Sequence, residues 1–389
     1  PVNTLKMKFQ SAELSLNDAK DLFLSRQLSQ TGINTEPKKK LRAIIEQLGY
    51  IQIDTISIVE RAHKHVLWTR LPEYRNEMLD ELIDKDKKVF EFWDHAAAYM
   101  PMKHFRFTLP RKEMYAKKYK HWEKKNRKLL NLIIDRITDE GPLQSRDFEE
   151  TKKRGLWWDW KPAKEGLEFL FHTGRLVARA RKSFQKVYDI PERFLPQITG
   201  LTVPTDEELS EHLILKSINS GGISSEKELT YLRHHNRAAT RSTLNRLVEE
   251  KKIVSVSIKE IGSEKYYSTK KILGSLSSYA ANSEVLILSP FDNIVIQRKR
   301  LQNLFGFDYL IECYVPAPKR KFGYFCLPVL YGNKFAGRID AKADRRTGNF
   351  IIINEFWENG FKTDDNFTEK YNFKLKELAE FSGCMEITR

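Results

Sequence analysis

Cysteines, long apolar runs and the signatures of common catalytic machines are scarce in this sequence. Its 389 residues include three cysteines, Cys313, Cys326 and Cys384. They are far apart, odd in number and form no C-x-x-C pair. That argues against a disulfide framework or a thiolate zinc site, and free thiols fit a reducing cytoplasm. No stretch approaches the ~18 apolar residues of a membrane helix. Pro1 to Gln10 lacks the apolar core of a signal peptide. There is no Walker loop, no G-x-S-x-G and no H-E-x-x-H. His63 and His65 are two apart, with neither helical spacing nor a neighbouring cysteine. No metal and no cofactor are expected. Acidic residues are also in deficit: 67 Lys and Arg stand against 52 Asp and Glu, a net charge of +15. Such an excess points to a polyanionic partner, nucleic acid or an acidic membrane surface, or to solvated lysines on a basic housekeeping protein. The 41% hydrophobic share suffices for several packed cores and is too high for a disordered chain.

The apolar spacing changes along the chain. Ser15 precedes Leu16, Ala19, Leu22, Phe23 and Leu28, helical spacing behind an N-cap with Asp18 three residues on. Leu41, Ile44, Ile45 and Leu48 repeat the pattern, and Gly49 ends it. Tyr50 to Ile56 then reads as a short strand or extended turn, and Val89 to Trp93 as a strand. A repeated grammar follows. A helix carrying Leu129 to Ile137 ends near Gly141-Pro142, Ser145 starts a second helix, and a third runs from Pro162 to Gly174. A strand follows over Leu176 to Ala180. The order returns as a helix over Leu209 to Ser220, a helix capped by Ser225, a helix over Arg237 to Glu250, a strand over Ile253 to Ile258 and a partner over Glu264 to Ser268. Helix, turn, helix, helix, hairpin is the order of a winged helix-turn-helix. Beyond about residue 283, short β-rich runs are separated by Gly, Pro and Asn-Gly: Val285 to Leu288, Ile294 to Ile296, Tyr309 to Val315, Gly323 to Val329, Phe335 to Ile339 and Phe350 to Phe356. They suggest a small antiparallel barrel or sandwich, closed by a helix over 365–381.

Two basic clusters stand out. Arg111 to Lys128 holds nine Lys or Arg against two Glu, with Tyr115, Tyr119 and Trp122 among them, and includes Lys117 and Lys118. Arg175 to Lys186 holds five cations, including Arg179 and Arg181, and no acid. Cations beside aromatics suit phosphate contact with stacking, although a solvated linker helix explains the first cluster equally well. The second falls where a wing is expected, which favours phosphate contact. Gln52-Ile53-Asp54 has a separate interest. On an extended strand residues 52 and 54 project to one side, with Ile51 and Ile53 facing the core. An amide beside a carboxylate can hold and activate a water molecule, but polar residues alternating on a half-exposed strand are ordinary.

The run from Gln52-Ile53-Asp54 through Glu60-Arg61-Ala62-His63-Lys64-His65 to Trp68-Thr69-Arg70 resembles the signature of the bacterial YcaQ/AlkZ family of DNA glycosylases. Three further matches follow in the family's order. They are Ser289-Pro290-Phe291-Asp292 with Arg298-Lys299-Arg300, then Tyr314-Val315-Pro316-Ala317-Pro318 through Tyr324, and Gly337-Arg338-Ile339-Asp340 through Arg345. The resemblance implies an α+β chain of three tandem winged helix-turn-helix domains and a C-terminal β-barrel-like domain, expected at 1–125, 126–203, 204–272 and 273–389. It implies a monofunctional glycosylase acting on duplex DNA that carries N-alkylated bases or interstrand crosslinks, with no membrane partner and a cytoplasmic, nucleoid-associated location. Gln52 and Asp54 occupy the family's catalytic strand. Gln-x-Asp resembles the YcaQ branch, which unhooks nitrogen-mustard crosslinks, and departs from the AlkZ pattern with its bulkier natural-product adducts. Arg61, His65 and Arg70 are expected to contact DNA, as are Lys117, Lys118, Arg179 and Arg181. For Glu60 to His65, surface pairing and packing remain the alternative. Trp93 is expected in the core. Asp292 is expected to fix a turn by capping backbone amides. The rival functional readings are a non-catalytic winged-helix transcription regulator, which needs no Asp54, and a metal-dependent nuclease, which needs clustered carboxylates.

Overall fold

Ser15 and Asp18 close a reciprocal cap. The Ser15 hydroxyl accepts from the Asp18 amide at 3.1 Å, and the Ser15 amide and hydroxyl donate to the Asp18 carboxylate at 3.3 and 2.7 Å. The helix Leu16–Leu28 starts there, where the sequence predicts it. The computed structural model describes residues 7–8, 11–28, 35–148, 160–233, 235–276 and 283–389. They form two compact units, one of Pro1–Tyr74, Leu213–Arg233 and Arg237–Arg389, the other of Arg75–His212 and His234–Asn236. The fold is mixed α+β. Among the described residues no helix is long and apolar enough to cross a membrane.

The first unit holds two sheets. In one, Ser11–Leu14 runs parallel to Val254–Ile258, pairing Ser11 with Ser255 and Leu14 with Ile258. Tyr266–Ser268 continues that sheet antiparallel, and Ser224–Ser225 closes its far edge. Leu22 and Phe23 of the first helix pack with Ile214, Ile218, Leu244 and Leu247 beneath it, and with Leu301, Leu304 and Phe307. Each such fully buried side chain contributes about 1.5–3 kcal/mol relative to exposure. The other sheet orders Val285–Ile287, Cys326–Tyr331, Lys334–Asp344, Asn349–Trp357 and Glu386–Thr388, antiparallel except for the last pair. The first and last strands form its edges, so it is an open sheet, a half-barrel and not a closed one. The C-terminal helix occupies Asp365–Phe381, with Asp364 capping the Phe367 amide at 2.8 Å.

Two of the expected C-terminal strands are absent. Ile294 to Ile296 is a turn, in which the Asp292 carbonyl accepts from the Val295 and Ile296 amides at 2.8 Å. Tyr309 to Val315 is a loop. Ile294 and Val295 are fully buried, so their apolarity reported burial and not extension. The hydrophobic period cannot separate the two for a run this short.

The second unit contains the antiparallel hairpin Val89–Trp93 and Ala97–Pro101. It also contains a three-stranded sheet in the order Leu143–Gln144, Gln185–Asp189, Val177–Lys182. Helices Arg127–Glu140 and Trp160–Thr173 pack beside that sheet. Where a helix is expected from Ser145, the described residues form a 3-10 turn, Ser145–Phe148, with Asp147 accepting from the Gln144 amide at 2.7 Å, and the residues after it lie outside the described ones. Trp93 is exposed at 36% and is not a core residue. It lies at the strand end, where Arg111 sits 5.2 Å from its ring. In the second repeat, Ser225 caps Glu226–Leu229 as expected, and with Glu228 it forms a capping box.

Candidate active site

The strand Ile51–Gln52 is two residues long, and Asp54 lies just beyond its end. Ile51 and Ile53 are buried, as the alternation predicts, but Gln52 is also buried, at 7% exposure. Gln52 is therefore not on a half-exposed strand face. Asp54 is half-buried, and its Oδ1 accepts from the Ile56 amide at 2.8 Å, an Asx turn that fixes the carboxylate as the chain leaves the strand. Burial pushes the Asp54 carboxyl above the usual range. The Ile56 and Thr55 amides and the Arg61 guanidinium pull in the other direction and do not cancel it.

The turn after Asp54 is tied down on its far side. The Ala343 amide donates to the Ile58 carbonyl at 2.8 Å. Arg345 reaches the Ser57 carbonyl at 3.4 Å, the Val59 carbonyl, and the Glu60 carboxylate at 3.6 Å. The strand Lys334–Asp344 and its following turn thus hold residues 57–60. Arg61 donates from Nη1 to the Thr55 carbonyl at 3.1 Å. A cation is therefore held over the turn that carries Asp54.

A second loop supplies neighbours that sequence reading did not assign. Burial and then the negative charge of Asp54 raise both the Cys313 thiol and the Tyr314 hydroxyl. Those side chains thus lie within its field, and Tyr314 is 75% exposed. Their loop is held by Glu312, which is 7% exposed and accepts from the Lys321, Phe322 and Gly323 amides at 2.7, 2.7 and 3.1 Å. Gly323 has a φ of 151°, and a Cβ there would meet the Asp340 carboxylate at 2.1 Å. The segment Tyr314 to Tyr324 was conspicuous in the sequence as a motif without a role. The influence of Asp54, some 260 residues earlier in sequence, on Cys313 and Tyr314 of this loop is tertiary.

The other predicted DNA contacts divide. Arg70 is 2% exposed and forms a two-pronged pair with Asp292, at 2.7 and 2.8 Å. It also donates to the Gln27 and Val66 carbonyls at 2.8 and 3.0 Å. Its expected role on DNA is corrected: it joins three segments inside the first unit. Asp292 also accepts from the Ile294 amide at 2.9 Å, the turn-fixing role expected of it. His65 is fully buried, and its Nε2 donates to the Ile287 carbonyl at 2.9 Å. Burial holds its pKa below the ordinary value, so the ring stays neutral and inside. His63 is buried too, at 5% exposure. Packing, the alternative reading, describes both histidines.

In the second unit four of the five cations of that cluster, all but the exposed Lys182, pair with acids distant in sequence. Arg181 grips both oxygens of Glu91 at 2.7 Å, and Arg179 binds Asp84 at 2.8 Å and lies 3.6 Å from Asp189. Arg175 pairs with Glu123 at 3.0 Å, and Lys186 with Glu168 at 2.8 Å. A local count of five cations and no acids missed these partners. Lys117 and Lys118, at the end of helix Leu109–Lys118, are exposed. Among the described residues, no three His, Cys, Asp or Glu side chains gather as metal donors.

The chain thus carries a fixed, half-buried Asp54 carboxylate two residues after the buried Gln52, on a strongly basic α+β fold. Residues 45–380 match the family model described as DNA glycosylase AlkZ-like. The chain belongs to this family and so stands among the DNA glycosylases. Among solved structures it is similar to the Streptomyces sahachiroi DNA glycosylase AlkZ, with a TM-score of 0.62 and 13% identity. The likeness covers 96% of this chain and 98% of that one, and at that identity it is a likeness of fold.

Proposed function

We propose that the chain is a monofunctional glycosylase that hydrolyses the N-glycosidic bond of N-alkylated purines in duplex DNA, including a base held in an interstrand crosslink. The observation that carries the reading is Asp54, a half-buried carboxylate fixed by the Ile56 amide and immediately preceded by buried Gln52 and Ile53. N7-alkylation makes the purine cationic and a good leaving group. As the C1′–N9 bond breaks, its electron pair goes to the base and the sugar becomes an oxocarbenium ion. Ionised Asp54 stabilises that cation and accepts the proton of the water that attacks C1′. Gln52 orients the water. The products are the free alkylated base and an abasic sugar. No Lewis acid is required, because the leaving base is already charged. The logic parallels the carboxylate chemistry of glycoside hydrolysis.

The scaffold reading belongs to the same proposal. Arg127 to Asp189 and Asp206 to Ser268 share an order of helix, short strand, short helix, helix and hairpin, and in each the third strand lies between the first two. That order supports winged-helix units at 126–203 and 204–272, with a third in 1–125 and the half-barrel in 273–389. A crosslinked base cannot swing into a deep pocket as an ordinary flipped base does, which suits a carboxylate at an open strand end. Residues Lys117 and Lys118 carry phosphate contact, and Arg61 remains a candidate beside the carboxylate.

The test is single-turnover excision of N7-alkylguanine, and of a mustard crosslink, from defined duplexes, read as alkali-labile abasic sites. Asp54→Ala should lower the rate by about 10²–10⁴-fold while leaving duplex affinity largely intact. Near-full excision by the variant would overturn the mechanism. Duplex binding without excision of any alkylated base by the unaltered protein would favour a regulator. Direct strand breaks abolished by a chelator would favour a nuclease.

A further inference from the structure

The aromatics of the first basic cluster turn towards a neighbouring helix. The rings of Tyr115 and Tyr119 are 4.6 Å apart, and Tyr115 lies 4.8 Å from His172. Trp122 lies 5.0 Å from Phe169 of the helix Trp160–Thr173. With Glu165 and Glu168, these aromatics line an open cavity of about 240 Å³ within the second unit. Tyr115, Tyr119 and Trp122 are half-buried, so each keeps part of its surface available. Apart from the two acids of the wall, the charge of the cluster is mostly positive. Lys117, Lys118, Lys120, Lys124 and Lys125 are all exposed, and among the described residues none has an ion-pair partner, in contrast to the neutralised cations of the hairpin.

We propose that this cavity binds the base of an unpaired DNA nucleotide, stacked on the aromatics, with the adjoining phosphates on the lysines. Aromatic platforms within a basic surface are how single strands are held, because every base offers a π-face and every linkage a charge. The size agrees. The cavity falls short of the roughly 300–1,000 Å³ typical of sites for drug-sized ligands, and so suits one planar base better than a whole cofactor. The acids set a preference. Glu168 is engaged by Lys186 at 2.8 Å and by the Tyr188 hydroxyl at 2.7 Å. Glu165 is exposed at the cavity wall. A carboxylate there accepts from the exocyclic amine of adenine, cytosine or guanine, and thymine has no such amine. The site requires neither Asp54 nor excision, so it stands or falls separately from the glycosylase reading.

The experiment is fluorescence anisotropy of labelled short oligodeoxynucleotides with the full chain. Oligo(dA) should bind more tightly than oligo(dT). Trp122→Ala and Tyr119→Ala should each weaken oligo(dA) binding about tenfold, the effect of losing one stacked base, with affinity for intact duplex unchanged. Glu165→Ala, an exposed substitution that removes the acceptor and leaves the core untouched, should reduce the preference for dA over dT. Thermal unfolding and circular dichroism check the aromatic variants. Single-strand binding that is indifferent to both aromatic substitutions and to Glu165→Ala, and falls only with the lysines, would overturn the proposal. So would free dAMP binding as tightly as the oligomer, or a clear preference for oligo(rA).

Discussion

At the scale of single residues, burial holds two ionisable side chains in unfavourable surroundings. Asp54 is raised by burial, a cost expected of a group kept for chemistry. If the ionised form does the work, excision should fall away on the acid side at a pH above the ordinary carboxylate range. A pH–rate profile under single-turnover conditions reads this, and a profile flat down to the range of an unperturbed Asp would argue against it. The stability effect has the opposite sign. A raised Asp pKa favours folding at low pH and costs stability once pH rises through it, so Asp54→Asn should raise the melting temperature at neutral pH while excision is lost. Lys112 carries the second cost. It is 5% exposed, lies 4.0 and 4.4 Å from the Phe105 and Phe92 ring centroids, and is pushed by burial down to about 7. Between about 7 and the ordinary 10.5 the unfolded chain holds the extra proton, so stability should rise with pH across that window. Lys112→Met should flatten the slope and stabilise most at and below neutral pH. Denaturant titrations at several pH values check both the direction and the window.

At the scale of elements, the helix Ala62–Arg70 shows why a run of polar and aromatic residues is ambiguous in sequence. It carries two histidines, a tryptophan and an arginine, all pointing inward. Trp68 stacks on Phe381 at 4.9 Å, His65 bonds Ile287, and Arg70 pairs with Asp292. The helix is therefore a junction between the first helix, the Asp292 turn and the C-terminal helix. Removing one partner of the Arg70–Asp292 pair leaves a charge unpaired in the interior, so Asp292→Ala should cost about 3–5 kcal/mol. Chemical denaturation checks this. A variant as stable as the parent would mean that solvent reaches Arg70 readily. The sequence placed Asp292 correctly as a turn-fixer but read Arg70 as a phosphate contact, because its partner lies 222 residues away.

For the molecule as a whole, the net charge of +15 is the broad basis for DNA attraction, and the structure shows which cations remain available for it. Arg179 and Arg181 are neutralised, and Lys117 and Lys118 are exposed without ion-pair partners among the described residues. Each phosphate contact adds about 0.9 to the slope of log affinity against log salt on duplex DNA. Lys117→Ala with Lys118→Ala should lower that slope by up to about two. Arg181→Ala should leave it nearly unchanged and lower stability, because Glu91 is left buried and unpaired. Salt-dependent binding isotherms beside thermal melts separate these outcomes. A large fall in slope for Arg181→Ala would reverse the assignment.

The sequence by itself determined several of the helices, the Ser15 and Ser225 caps and the excess charge. These depend on period, on residues three or four apart and on composition, all of which are local. Leu16–Leu28, Pro37–Leu48 and Asp365–Phe381 lie where their apolar spacing puts them. The Gln52-x-Asp54 pair was legible too, though only resemblance to a family separated it from ordinary alternation. Tertiary structure alone decided which charges are available and what surrounds Asp54. Glu91 meeting Arg181 and Asp292 meeting Arg70 are long-range contacts, and the charge of Asp54 is felt at Tyr314 across some 260 residues of sequence. Charge is counted locally along a chain but neutralised in space, so no window of sequence contains both partners.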